Sequence, residues 1–476
     1  MGKNRKNALW NFIGNLAGDK VVWMIVLLLI LFSVVCIFSS TAMMTSADLS
    51  RTDIILDQLK IIGLGLICIL FCYLVIRDVK WYRYLAPLCF PLSLVALIFL
   101  MGHMKIGNFI VASHINDAWR VIKVGGLQVH VFELIKVGMV LYIAWAIDTY
   151  EKKRFKLTDK LAEVRHLGWL AKPMAKKCIF IYIPSLIVVF CIVKSSGSGG
   201  AFIGLVLFAT MICSGLWYGK VKKIIFGVVC LGAILVGLIM FAGSFSPKED
   251  DNADRQESVI SKYFERAGTW ASRIKGSGDD IDKFLKAPKG STDYYNALDA
   301  IRQPYSAKIA IREGGLFGKG PGQSTQRYIV PVMYEDYMYS FILEEYGLFG
   351  GIVVLVLYLS LLARGSIIVR SCNDRFAQIV VTGLVLLISG QAMMHIMVNA
   401  QLLPQTGQTL PMISHGATSF IAFSIAFGIL LSISRMAKKR IDAEIRQAEP
   451  ITSAKPEMES SLDDLDAAED DIIDNI

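Results

Sequence analysis

The chain has 476 residues, of which 54% are apolar (Ala, Val, Ile, Leu, Met, Phe, Trp, Tyr, Cys) and 19% charged. A soluble chain is also about half apolar but about a quarter charged, so the shortage of charge, with apolar residues gathered in blocks, excludes a soluble globular architecture. Collagenous, low-complexity and nucleic-acid-binding classes are excluded with it, and the formal charge of +9 takes its meaning from where the Lys and Arg residues fall.

The chain opens on a basic arm, residues 1–20, followed by an apolar run from Val21 to Ser39. That run exceeds the core of about 7–15 residues that a signal peptide carries, so it reads as an uncleaved first membrane helix. A span needs about 20 mainly apolar residues. Ten stretches qualify: 21–39, 60–76, 82–101, 133–149, 178–193, 201–217, 224–242, 347–363, 377–398 and 420–434. The expected fold is an all-α polytopic membrane protein, its ten-span domain covering 21–434.

Alternate connections collect the basic residues: the N-terminal arm, Arg77 to Arg83, the segment 150–177, Lys220 to Lys223, Arg364 to Arg375, and Arg435 to Arg440. The intervening short loops hold few. Lys and Arg favour the cytoplasmic side, so both termini are expected in the cytoplasm. One outer segment, 243–337, is long and polar between spans seven and eight. Loops of that length are usually functional or disordered, and its apolar second half predicts short helices packed on the bundle. The tail 435–476 ends in an acidic block with no basic residue after Glu457, the composition of a disordered tail. Eight of the nine cysteines lie in apolar stretches and Cys372 in a short basic loop, a distribution that predicts neither a disulfide framework nor a thiolate metal site.

Residues that could carry chemistry gather between Gln303 and Ser419. Asp336 stands at a membrane edge before an apolar helix, beside Tyr334, Tyr337 and Tyr339. Apolar surroundings would raise a carboxylate toward useful base strength; a helix N-cap is the structural alternative, and Glu335 is the neighbouring competitor. Glu133 and Lys136, three apart, share a helix face inside the fourth span. Ionisable residues there are functional candidates, or a mutual ion pair holding the bundle. Glu344 and Glu345 either pin a loop through a basic partner or serve as an acid or cation ligand. Lys319 and Arg327 are candidate anion contacts. Gln303, Gln323 and Ser324 could hydrogen-bond a polar ligand or simply structure the loop. The glycines from Gly314 to Gly322 allow close backbone approach or sharp turns; no βαβ context surrounds them, so they are not a dinucleotide fingerprint.

The joint pattern QPYSAKIAIREGGLFGKGPGQS, PVMYEDYMYSFILEEYG and TGQTLPMISHGATS resembles the SEDS family of bacterial cell-wall polymerases. The amino-terminal GDKVVWMIVLLLILFSVVCIFSS and TGQTLP resemble its division branch, FtsW, more than its elongation branch, RodA. The resemblance covers residues 19 to about 440. It implies a peptidoglycan glycosyltransferase that polymerises lipid II by inverting chemistry at a lipid-linked sugar diphosphate, with Asp336 as general base. It implies that Glu133 and Lys136 belong to a central cavity, that Arg120 matches the family's loop arginine, and that Thr406, Ser414 and His415 line the cavity opposite Asp336. A departing diphosphate needs positive charge from Arg, Lys or a divalent cation such as Mg or Mn. The implied partners are a class B penicillin-binding protein acting as transpeptidase and other divisome proteins, at the division septum. Departures from the family pattern cluster near the fourth span, where His130-Val131-Phe132 replaces Gln-Pro-Ser. Two other roles stay open: a lipid II flippase, and a non-catalytic division scaffold.

Overall fold

The structure is a computed structural model. It describes residues 18–40, 51–216 and 284–448, apart from short gaps at 108–109, 116–117, 126, 154, 156–171, 196–197, 331–332 and 404–405. The span expected at 224–242, the first part of the long segment 243–337 and the acidic tail lie outside the described residues.

In chain order the helices are α1 (Lys20–Ser40), α2 (Arg51–Leu74), α3 (Val79–Met101), α4 (Val131–Glu151), α5 (Pro173–Lys194) and α6 (Ser198–Leu216), then α7 (Thr292–Gly314), the one-turn α8 (Met333–Asp336), α9 (Met338–Ser371), α10 (Arg375–Asn399) and α11 (Ala417–Ala448). Seven are long and apolar enough to cross a membrane: α1, α2, α3, α5, α9, α10 and α11. α4 is as long but carries Glu133, Lys136, Asp148 and Glu151. The spans α10 and α11 are 72% and 83% buried, against 28% for α2 and α3. They form the centre of the bundle, and α2 and α3 its lipid-facing flank.

The helices start where side chains can satisfy free N–H groups. Asp19 accepts from the Val21 and Val22 amides (2.9 and 3.2 Å), Asp78 from Lys80 (3.0 Å) and Ser291 from Tyr294 (3.1 Å). One end of the bundle is closed by ion pairs. Arg83 bridges Asp148 and Asp374 (3.3 and 2.6 Å), Lys152 reaches Asp148 (2.7 Å), Arg375 meets Glu151 (3.1 Å) and Arg364 meets Asp19 (2.6 Å). The Asp19 amide donates to Ser434 (2.9 Å), so the start of α1 and the far half of α11 share that end. The opposite end is called the site end below.

Three departures from the sequence reading matter. The connection between α3 and α4 is not plain loop: it folds as a four-stranded antiparallel sheet, β1 (Lys105–Ile106), β2 (Ile110–Ile115), β3 (Ala118–Val124) and β4 (Leu127–His130), in that order. Alternation in AWRVIKV and the Val124–Leu127 pairing across Gly125-Gly126 are hairpin signals. The eighth span, expected at 347–363, does start at a break at Gly347, but a further helical stretch from Met338, whose SFIL packs in the core, precedes it. The long segment also contributes α7, 23 residues against the short helices expected, which packs along α9.

Candidate functional site

The site is built around a break in α9. Gly347 has φ 67° and ψ −170° inside an otherwise helical run, a conformation that favours glycine. The break frees backbone groups on both sides, and the loop after α7 takes them up. Leu348 and Phe349 donate to the carbonyls of Gly315 and Leu316 (2.9 and 3.2 Å), while Lys319 and Gly320 donate to those of Glu344 and Glu345 (2.9 and 3.0 Å). A Cβ on Gly314 would lie 1.9 Å from the Leu343 carbonyl oxygen, and one on Gly318 2.2 Å from that of Glu345. The glycines of GGLFGKG thus serve a backbone-to-backbone crossing.

Glu344 and Glu345 sit inside α9 just before this break, fully buried, rather than at a helix mouth. Glu344 accepts from Ser324 Oγ (2.5 Å), the Thr325 amide (2.8 Å), Thr325 Oγ1 (3.0 Å) and Lys319 Nζ (3.0 Å). Lys319 also donates to Glu313 and to Thr325 Oγ1 (2.9 Å). Partial burial lowers its pKa, but the hydrogen bonds to Glu313 and Glu344 outweigh that and hold it above its ordinary value. Glu345 accepts from Ser39 Oγ (2.5 Å) and the Gly322 amide (3.0 Å), and Arg327 stands 3.8 Å away while donating to the Ser39 carbonyl (3.0 Å). The acidic pair therefore binds the GKGPGQS loop to α9 and α1.

Asp336 ends the one-turn helix α8, half-buried. Three successive carbonyls of this turn are each held by a different group. The His415 amide donates to Tyr334 (2.9 Å), Ser414 Oγ to Glu335 (2.8 Å) and Asn399 Nδ2 to Asp336 (3.1 Å). The Asn399 carboxamide also accepts from the amide and hydroxyl of Ser340 (2.9 and 2.8 Å). Tyr337 makes no side-chain cap, so Asn399 caps α9 from a neighbouring helix. Burial, with the Glu335 and Asp336 carboxylates beside it, raises the Tyr334 hydroxyl above the usual tyrosine value, keeping it a neutral donor beside Asp336.

Deeper in the bundle, Lys136 is fully buried and donates to Glu133 (2.9 Å), Gln391 (2.6 Å) and Gln408 (3.0 Å). Gln391 Nε2 donates to the Thr409 carbonyl (3.2 Å), and the Gln408 carbonyl lies 2.7 Å from His395 Nδ1. His395 Nε2 in turn accepts from the Tyr339 amide (3.4 Å). A continuous polar chain thus runs from Lys136 through Gln408, His395 and Asn399 to the Asp336 turn.

Comparison with known proteins gives this arrangement a context. Residues 292–439 match the family model described as cell cycle protein, covering FtsW, RodA and SpoVE. The chain is 26% identical to stage V sporulation protein E of Bacillus subtilis over 88% of its length and 98% of that protein's. It is 36% identical to the probable peptidoglycan glycosyltransferase FtsW of Caulobacter vibrioides, over 33% of this chain and 37% of that one. The fold resembles the rod shape determining protein RodA of Thermus thermophilus (TM-score 0.53, 20% identity, 89% and 98% of the chains). It also resembles a chain from a structure of a peptidoglycan synthase complex that coordinates polymerization and crosslinking (TM-score 0.58, 19% identity, 88% and 98% of the chains). Residues 292–439 are thus similar to the FtsW/RodA/SpoVE family, and the fold of the chain resembles that of RodA.

The family match takes in Asp336, Lys319, Ser324, Glu344, Glu345, Thr406 and Ser414. Glu133 and Lys136 lie outside the matched residues and reach the site through Gln391 and Gln408. Gln303 lies on α7, next to Pro304, whose carbonyl accepts from Gln401. Thr406 is half-buried in the loop that carries Gln408. Arg120 lies on β3, and its side chain falls outside the described residues. Among the described residues no three His, Cys, Asp or Glu side chains converge to hold a metal ion. Sequence reasoning missed Gln391, His395 and Asn399. Their signal was available: polar residues four apart in the apolar run 377–398 and its end share one helix face.

Proposed function

We propose that this protein is a member of the FtsW/RodA/SpoVE family and a peptidoglycan glycosyltransferase that polymerises lipid II, with Asp336 as general base. The observation that carries the reading is the turn Tyr334–Asp336, whose three carbonyls are fixed by His415, Ser414 and Asn399. A base held this firmly needs little reorganisation when it takes a proton. Asp336 accepts the proton of the acceptor sugar 4-hydroxyl. The freed oxygen bonds to the anomeric carbon of the donor from the face opposite the diphosphate, and the bond to the diphosphate oxygen breaks. The leaving group's negative charge falls to cations of the site end, for which Lys319, Arg120 and Lys136 are the candidates. Lys136 and Lys319 are each already held by three protein groups.

The polar groups gather at the site end while ion pairs close the other, which supports chemistry at one face over a transport path through the bundle. The basic residues crowd the closed end, supporting a cytoplasmic placement for it and both termini in a bacterial inner membrane. The names of the FtsW relatives and the likeness to a synthase complex support septal work with a class B penicillin-binding protein. The test is polymerisation of purified lipid II by the protein with its cognate transpeptidase, beside Asp336→Asn. Glycan ladders from the wild type and none from the folded, partner-binding variant are expected. Equal ladders would remove Asp336 as the base, and none from either would reopen transport and scaffold roles.

A further inference from the structure

The loop that crosses the α9 break carries two apolar side chains with no role in the site. Leu316 is 66% and Phe317 85% exposed. They adjoin a stripe on α9 formed by Phe349, Ile352, Val356 and Leu359, all of them exposed. At helical spacing this stripe is the lipid-facing side of a membrane-crossing helix.

Their depth follows from two helices used as rulers. α1 runs unbroken for 21 residues, about 30 Å at about 1.5 Å per residue. It joins the Asp19–Arg364 pair at one end to the Ser39–Glu345 contact at the other. That is the thickness of a hydrocarbon core, about 30 Å, so these two polar contacts bracket the bilayer. On α9 the climb from Arg364 to Phe349 is about 22 Å. Because the Phe349 amide donates to the Leu316 carbonyl, Leu316 and Phe317 lie at that same level, several ångströms inside the slab. Lys319 returns to Glu344 at its edge.

Backbone at that depth needs partners in the protein, and the α9 break supplies several. Gly318 donates to Gly314 (2.7 Å), and the four bonds across the break engage Gly315, Leu316, Lys319 and Gly320. A loop pinned by its backbone to a membrane helix, with its apolar side chains open, has the pattern of a re-entrant tip.

We infer that Leu316 and Phe317 are inserted among the acyl chains of the bilayer leaflet at the site end, tethering the loop that carries Lys319 and Ser324. The occupant is bulk lipid, argued from continuity with the lipid-facing stripe of α9. This inference does not depend on the proposed reaction.

The test uses the full-length protein in nanodiscs of phosphatidylethanolamine and phosphatidylglycerol, with acyl chains either plain or brominated. Phe317→Trp and, separately, Leu316→Trp add fluorescence over the wild-type background. The added signal is expected to fall more than twofold in brominated discs and to resist aqueous iodide. Quenching by iodide, with none by brominated chains, would overturn the inference. Loss of the lipid quenching when the transpeptidase partner is added would also overturn it, assigning the surface to that partner's membrane helix.

Discussion

Replacing Asn399 by leucine keeps the volume of a fully buried side chain and removes every hydrogen bond it makes. The Ser340 hydroxyl can turn to a carbonyl of its own helix, and the His395 carbonyl keeps its helical partner. Two groups have no such recourse: the Ser340 amide at the start of α9 and the Asp336 carbonyl. A stranded buried group costs about 1–3 kcal/mol, and Asp336 is only half-buried, so the expected loss is about 2–4 kcal/mol in stability. The effect on rate is separate. A catalytic group misplaced by about 1 Å can lose about a hundredfold, so polymerisation of lipid II should fall about 10- to 100-fold while KM changes little. Melting followed with a thiol-reactive dye, which reports the buried cysteines as they open, gives the stability arm. Asn399→Asp still accepts from Ser340 but buries a carboxylate against the Asp336 carbonyl, so it too should lose both stability and rate. An Asn399→Leu protein with wild-type melting and wild-type rate would refute the reasoning.

Gly347→Ala places a Cβ 2.4 Å from the Gly318 amide nitrogen at a positive φ, and a melting curve should show a loss of about 2–4 kcal/mol from strain and overpacking. Lys136→Met strands the Glu133 carboxylate and should destabilise by about 3–5 kcal/mol; adding Glu133→Gln should recover most of it, and a recovered double variant that still makes no glycan would show that the pair serves substrate as well as packing. Tyr334 has its pKa raised in the folded state, so the unfolded chain loses that proton first and stability should fall as pH rises past the ordinary tyrosine value of 10.0. Tyr334→Phe should lessen, without abolishing, the fall of the melting temperature above that pH and leave the shape of the rate profile from pH 6 to 9 unchanged.

Seven of the ten expected membrane spans were legible among the described residues because the bilayer demands long apolar runs whatever the fold, and the placement of basic residues needs only local counting. Asp336 stood out as a candidate only through its motif; nothing local separates a base from a helix cap. The grouping of Glu344 with Lys319 and Ser324 was invisible, because it depends on a helix break at Gly347 that hands its backbone bonds to a distant loop. The same holds for Asn399, whose amide reaches Asp336 from a helix more than sixty residues along the chain. Hydropathy is a property of each segment alone, so composition determined the bundle. Which polar groups meet inside it depends on how the helices pack, so only the tertiary structure decided how Asp336 is held.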